Sequence, residues 1–315
     1  MSRAKELLKR ILEASPQFNR LSKWSSKLLA LVLILVLCGI IFYPRHTLFT
    51  LEARSEKLVV KVVDEVLAEW HFDRLSVFRD PFDTEDLLAL SDATLLVNPG
   101  AEVEFNRNLH GPLQIVVRAQ DEVSAGEIID ASGQRIELGP WSSLRVETMS
   151  TDANPGGKAM LIPFRGIVDL GDDVATGVTG VLLEGKVQIA EEELIGNTRY
   201  VANITTLDRG DRISLFEHNT REPAIVEGFV RVGLGEALEM VAHGPAGYVM
   251  VQRLGSGGYT ITPSIWRRIM EEPLLASLVV LIGILGTAFG AVSAFEKLFQ
   301  PRSHQPGQNG DDDAV

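Results

Sequence analysis

The chain has 315 residues, 45% hydrophobic and 23% charged, with a formal charge of −12 from 30 Lys+Arg against 42 Asp+Glu. These values exclude a disordered chain and a collagen-like repeat, and the negative balance argues against nucleic acid as a partner. The single Cys excludes an internal disulfide.

At the start of the chain, Ala4, Leu7, Leu8, Ile11 and Leu12 recur at the spacing of one helical face, with Lys5, Glu6, Lys9, Arg10 and Glu13 on the other side. Pro16 ends the pattern. A basic amphipathic helix just before an apolar run suits the inner surface of a membrane. Its surface-contacting set is Leu7, Leu8, Lys9, Arg10, Ile11 and Leu12, and docking onto a partner protein is the alternative.

Residues 28–43, LLALVLILVLCGIIFY, carry no charge. As a helix they span roughly 24 Å, a little short of the ~30 Å hydrocarbon core. Lys27 can snorkel, and Trp24 and Tyr43 suit the two interfaces, which makes up the difference. The run reads as a signal anchor rather than a cleaved signal peptide, because a long polar region precedes it and no small-x-small site follows. Arg3, Lys5, Lys9, Arg10, Arg20, Lys23 and Lys27 face only Glu6 and Glu13 in residues 1–27, which places that side in the cytoplasm. A second uncharged run, residues 274–295, returns the chain to the same side, and 296–315 reads as a disordered cytoplasmic tail. The expected setting is the inner membrane of a bacterium, with residues 44–272 in the periplasm. A cysteine-free segment of that size has core enough to fold there, since Cys38 lies in the first run.

Between the runs, residues 48–270 hold 20 Lys+Arg and 34 Asp+Glu, so the acidity belongs to this segment. Short β-branched runs separated by turn residues predict strands at 48–55, 57–63, 94–97, 102–105, 113–118, 135–138, 144–148, 181–183, 186–189, 200–205, 212–216, 225–232, 237–241, 248–253 and 259–262. Glu184-Gly185 reads as a hairpin turn, and 64–70 and 84–90 as the two short helices. The fold class is therefore a mainly β ectodomain, antiparallel sandwich or jelly-roll-like, between two transmembrane α-helices and after a short N-terminal amphipathic helix. The Pro/Gly-containing stretch 151–158 divides it into two subdomains, 44–150 and 159–272.

Catalytic signatures are missing. His71, His110, His218 and His243 lack zinc spacing, and no Gly-x-Ser-x-Gly elbow exists. Residues 254–258, LGSGG, have no following Lys for a phosphate loop. Asp169, Asp172 and Asp173 read as a polar turn rather than a calcium loop. The Arg-Gly-Asp triplet 209–211 reads as a turn feeding a strand. No catalytic, cofactor or metal residue is assigned.

The second run carries one more pattern. At about 100° per residue, Ala276, Gly283, Gly286, Thr287, Gly290 and Ala294 fall in one stripe, as helix packing requires and lipid contact does not. The expected partners are the lipid bilayer and a homo-oligomer or another membrane protein. The expected function is non-enzymatic: presenting an acidic β-rich domain for partner or ligand binding and assembly of an envelope complex. The alternatives are a subunit of an oligomeric channel and a sensor that passes extracytoplasmic binding to a cytoplasmic partner.

Overall fold

The computed structural model describes residues 28, 31–43, 45–78, 87–121, 123–147, 159–172, 180–194, 198–218, 220–233, 235–253 and 257–299. The chain forms two compact units, Pro44–Glu271 and the pair of flanking segments Met1–Tyr43 and Glu272–Val315.

The unit Pro44–Glu271 is mostly antiparallel β-sheet with one short helix. Its strands are β1 (Thr47–Ser55), β2 (Lys57–Val62), β3 (Glu69–Phe78), β4 (Leu87–Val97), β5 (Glu102–Asn106), β6 (Leu113–Arg118), β7 (Gly126–Ile129), β8 (Arg135–Glu137) and β9 (Trp141–Val146). They continue with β10 (Met160–Leu170), β11 (Leu182–Glu192), β12 (Arg199–Leu207), β13 (Asp211–Phe216), β14 (Ile225–Val232), β15 (Leu238–Pro245), β16 (Tyr248–Arg253) and β17 (Tyr259–Ile261). Hydrogen bonding links them in the order β12-β11-β1-β15-β14-β10-β2-β5-β6-β9-β3-β4-β7-β8. A branch β13-β16-β17 leaves the far end of β10.

Two strands tie the early and late parts of the segment together. β1 pairs not with its neighbour in sequence but with two distant strands, lying between β11 and β15. One residue later, β2 lies between β5 and β10. The strands expected as two subdomains thus share one sheet, and their buried side chains form one hydrophobic core. Phe49, Phe72, Phe105 and Phe164 are fully buried in it. Trp70 packs at 5.4 Å against Phe105 and donates its indole N–H to the Pro163 carbonyl at 2.7 Å. Burying such aromatics contributes on the order of 2–3 kcal/mol each relative to leaving them exposed.

Several local expectations are corrected. Residues 64–70 are a turn and the start of β3, not a helix: the Asp64 carboxylate accepts from Val66 N–H at 2.9 Å. An Asp that accepts from the amide two residues on closes an Asx turn as readily as it caps a helix, and the alternation from Trp70 to Phe72 then commits the chain to a strand. Residues 87–90 of the second expected helix belong to β4; residues 84–86 lie outside the described residues. Glu184-Gly185 is not a hairpin turn but the interior of β11. Gly185 sits between Ala53 and Leu207 of the flanking strands, where a Cβ would come within 2.9 Å of the Leu207 side chain, so glycine serves close approach rather than reversal. β3, β7, β10 and most of β4 lacked a predicted counterpart. β10 was hidden by Pro163 and Gly166; at Gly166 a Cβ would stand 2.2 Å from the Lys61 carbonyl oxygen, so the β10–β2 junction demands glycine.

The flanking segments contain α1 (Leu31–Phe42) and α3 (Pro273–Phe299), and the β unit ends in α2 (Ile265–Glu271). Residues 296–299, expected in the tail, belong to α3. Pro273 opens α3, a position where its missing N–H leaves no bond unmade. Among the described residues no single helix is long and apolar enough to cross a membrane; Ile265–Glu271 and Pro273–Ala288, broken at Glu272, reach that length and apolarity only together. Apolar side chains in both flanking segments are exposed, including Leu35 at 62% and Val280 at 60%. The expected surface helix with Leu7, Leu8, Lys9, Arg10, Ile11 and Leu12, the linker 151–158 and residues 300–315 of the tail lie outside the described residues.

Candidate functional site

The six small-residue positions lie on α3. Gly283, Gly286, Thr287 and Gly290 are exposed and Ala276 is half-buried; the side chain of Ala294 lies outside the described residues. A Cβ added at Gly283, Gly286 or Gly290 would meet nothing within 4 Å. The Thr287 hydroxyl turns back on its own helix and donates to the Ile284 carbonyl at 2.8 Å. Among the described residues there is thus room for a side chain at Gly283 and Gly286.

A second arrangement, which the sequence did not announce, lies in the β unit where its two chain ends come together. β11 turns Val187, Ile189 and Glu191 inward by strand alternation, so a carboxylate occupies a position otherwise reserved for an apolar side chain. Its cross-strand partner on β12 is Tyr200, also inward. Glu191 is 0% exposed. Tyr200 donates its hydroxyl to Glu191 Oε2 at 2.6 Å, and Arg268 of α2 donates Nε to the same oxygen at 2.9 Å and Nη2 to Oε1. Arg45, two residues before β1, donates Nη1 to the Tyr200 oxygen at 2.9 Å. Entry and exit of the β unit are thus joined through two side chains.

Charge and burial set the protonation here. Burial pushes the Tyr200 phenol above its ordinary value, and the Glu191 carboxylate beside it adds to the shift. Hydrogen bonding to Glu191 raises Arg268, outweighing the desolvation that lowers it. A carboxylate accepting a phenol and a two-pronged guanidinium has its lone pairs occupied, and a phenol held protonated is no base. The chemistry is that of a fastener rather than of a proton-transfer site.

Other candidates from the sequence are accounted for by ion pairs. Asp211 of the Arg-Gly-Asp triplet is 0% exposed and bridged by Arg253 at 2.8 and 3.0 Å, which withdraws it from any outside receptor. The triplet sits in a turn feeding β13, as its residues predicted. Asp169 takes Arg212 and the Ser214 hydroxyl, and Asp172 takes Lys57 at 3.1 Å; Asp173 and residues 254–256 lie outside the described residues. His71 faces Asp92 at 2.9 Å, and His110 faces Glu236 at 3.8 Å. His243 stands in β15 between Thr50 and Glu227. Among the described residues no three His, Cys, Asp or Glu side chains are grouped to hold a metal ion.

An open depression on the outer sheet face is lined by Glu52, Arg54, Glu184, Lys186 and Glu239. The register places these charges in cross-strand rows: Arg54 meets Glu184 at 2.8 Å, Lys186 meets Glu52 at 3.1 Å, and Arg231 meets Glu239 at 3.2 Å. The face satisfies its own charges. Elsewhere in the β unit, Arg107 is buried and donates to the Ala237 and Gly111 carbonyls at 3.0 and 3.1 Å, tying the loop after β5 to the turn before β15.

Comparison with protein-family models, curated proteins and solved structures returned no match. Function must therefore be argued from the molecule's own geometry. The one advance signal of the buried fastener was Arg268 close to an apolar run, which orientation arguments count only as a charge.

Proposed function

We propose that this chain is a non-enzymatic membrane scaffold: two apolar helices anchor an acidic antiparallel β unit, sandwich-like and organised in two halves, outside the cytoplasmic membrane of a bacterium. There it binds partners and assembles an envelope complex. The observation that carries the reading is the joining of the β unit's two chain ends. Arg45 and Arg268 meet through Tyr200 and Glu191, and a domain held to one surface by both ends needs its entry and exit together. The uncharged runs 28–43 and 274–295 supply the anchors, and the exposed apolar side chains of α1 and α3 suit lipid rather than water. Seven basic residues before the first run set the orientation.

Assembly is assigned to the small-residue stripe of Ala276, Gly283, Gly286, Thr287, Gly290 and Ala294, since small residues let helix backbones approach closely. Size analysis of the full chain, extracted from membranes in mild detergent, tests this. The expected result is a complex larger than one chain that dissociates when Gly286→Leu and Gly290→Leu are combined. A monomeric wild type, or an unchanged size in the double variant, removes the assembly role. Release of the wild type from membranes by alkaline carbonate removes the anchoring role.

A further inference from the structure

We infer that α2 is a membrane-interface foot: Trp266 and Met270 sit in the headgroup layer of the bilayer and Arg267 meets lipid phosphates, so that the β unit is seated on the membrane at a set orientation instead of hanging from flexible tethers. This rests on the reading of residues 274–295 as a bilayer span.

The helix is only seven residues long, but its rotation is determined. Arg268 is turned into the β unit and held by Glu191. At about 100° per residue, Trp266 and Met270 lie roughly 160–200° around the helix from Arg268. They are 69% and 62% exposed, and Ile265 and Arg267 beside them are exposed as well. A β unit that buries Trp70, Phe49, Phe72, Phe105 and Phe164 has thus left a tryptophan and a methionine outside on its terminal helix. Isolated exposed apolar residues need no explanation, but these form one side of one element, with a cation at its margin.

Three observations select lipid as the occupant. The uncharged run begins at Leu274, only three residues past Glu271, so a chain of about 3.5 Å per residue keeps α2 within roughly 10 Å of the bilayer if that run is inserted. Tryptophan with an apolar neighbour and a flanking arginine is the composition that favours the headgroup layer, where an indole has an apolar body and a polar N–H to satisfy. A cation is also in place: Arg267 is exposed on the helix closest in sequence to the span, one turn before the exposed Glu271, so it can reach a lipid phosphate although the helix surface carries no net positive charge.

The test uses the full chain reconstituted into phosphatidylcholine–phosphatidylglycerol vesicles. The only thiol is removed by Cys38→Ala, and a single environment-sensitive fluorophore is attached through Trp266→Cys, Met270→Cys, Glu184→Cys or Ile284→Cys in turn. Labels at 266 and 270 are expected to be quenched several-fold more by a lipid spin-labelled near the headgroup than by aqueous iodide. A label at 184, on the outer sheet face, is expected to show the reverse. The label at 284 separates the two layers of the argument. If 284 is quenched by a spin label deep in the acyl chains while 266 and 270 respond only to iodide, the foot is wrong and the span stands. Resistance of 266 and 270 to both quenchers means that protein covers the helix, which also overturns the foot. If 284 responds only to iodide, the span fails and the foot with it. Adding Glu191→Gln should loosen the helix and shift the 266 label toward iodide, while an unchanged response would show that the ion pair does not set its orientation.

Discussion

Two sets of ion pairs in the β unit use the same residue types and differ in where they stand. On the outer sheet face, Lys186–Glu52, Arg54–Glu184 and Arg231–Glu239 are cross-strand pairs whose partners remain largely in water. Near the chain ends, Glu191 is sealed from solvent and shared among Arg268, Tyr200 and, through the phenol, Arg45. Water screens the first set, and separation of its partners costs little. The second set has already lost its hydration, so removing one partner leaves a charge with nothing to replace the water. Counting salt bridges therefore says little here: the carboxylates of Glu191 and Asp211 are both sealed from solvent, and of the two it is Glu191 that ties the chain ends together.

The comparison can be broken most decisively at Glu191. Glu191→Ala should lower stability by about 3–5 kcal/mol, the usual consequence of orphaning a buried cation. Denaturant unfolding of the full chain in detergent, followed by circular dichroism, would measure it. Replacing both partners, Glu191→Leu with Arg268→Met, should recover most of that loss, because Arg268 is no longer left as a buried cation without its carboxylate. If Glu191→Ala costs no more than a surface substitution, the distinction between the two sets collapses.

Tyr200→Phe is expected to cost about 1.5–3 kcal/mol, the range for a hydrogen bond to a charged group. It also carries a pH signature. The folded phenol titrates above the unfolded one, so on raising the pH past about 10 the unfolded chain loses its proton first and folding loses up to ~1.4 kcal/mol per pH unit. Below that range the contribution is complete. Tyr200→Phe should flatten this alkaline decline, and an unaltered decline would place its origin elsewhere.

The smallest effect belongs to the outer face. A double-mutant cycle on Glu52→Ala and Lys186→Ala should return a coupling of about 0.2–1 kcal/mol that fades in molar salt. A larger, salt-resistant coupling would mean that this face is covered in the assembled protein.

What could be read from the sequence follows the range over which each signal acts. β6, β14 and β16 were found to the residue because alternation within six to eight positions suffices. β3 and β10 were not, since Asp64 gives one local signal for two outcomes and Pro163 and Gly166 look like breakers until their neighbours are known. The small-residue stripe was legible as a pattern on a helix. The buried fastener was not: Glu191, Glu192 and Glu193 look alike in sequence, and only the pairing of β11 with β12 decides which of them turns inward beside Tyr200.

The placement of β1 has a consequence for how the protein is made. This strand is synthesised first, yet its partners, Glu191 opposite Thr47 and Pro245 opposite Leu48, emerge only much later. One edge of β1 waits for β11 and the other for β15, so the sheet cannot close progressively behind the growing chain and should form slowly, from long-range pairings. During that interval the nascent segment exposes strand edges, and unpaired edges of this kind invite aggregation.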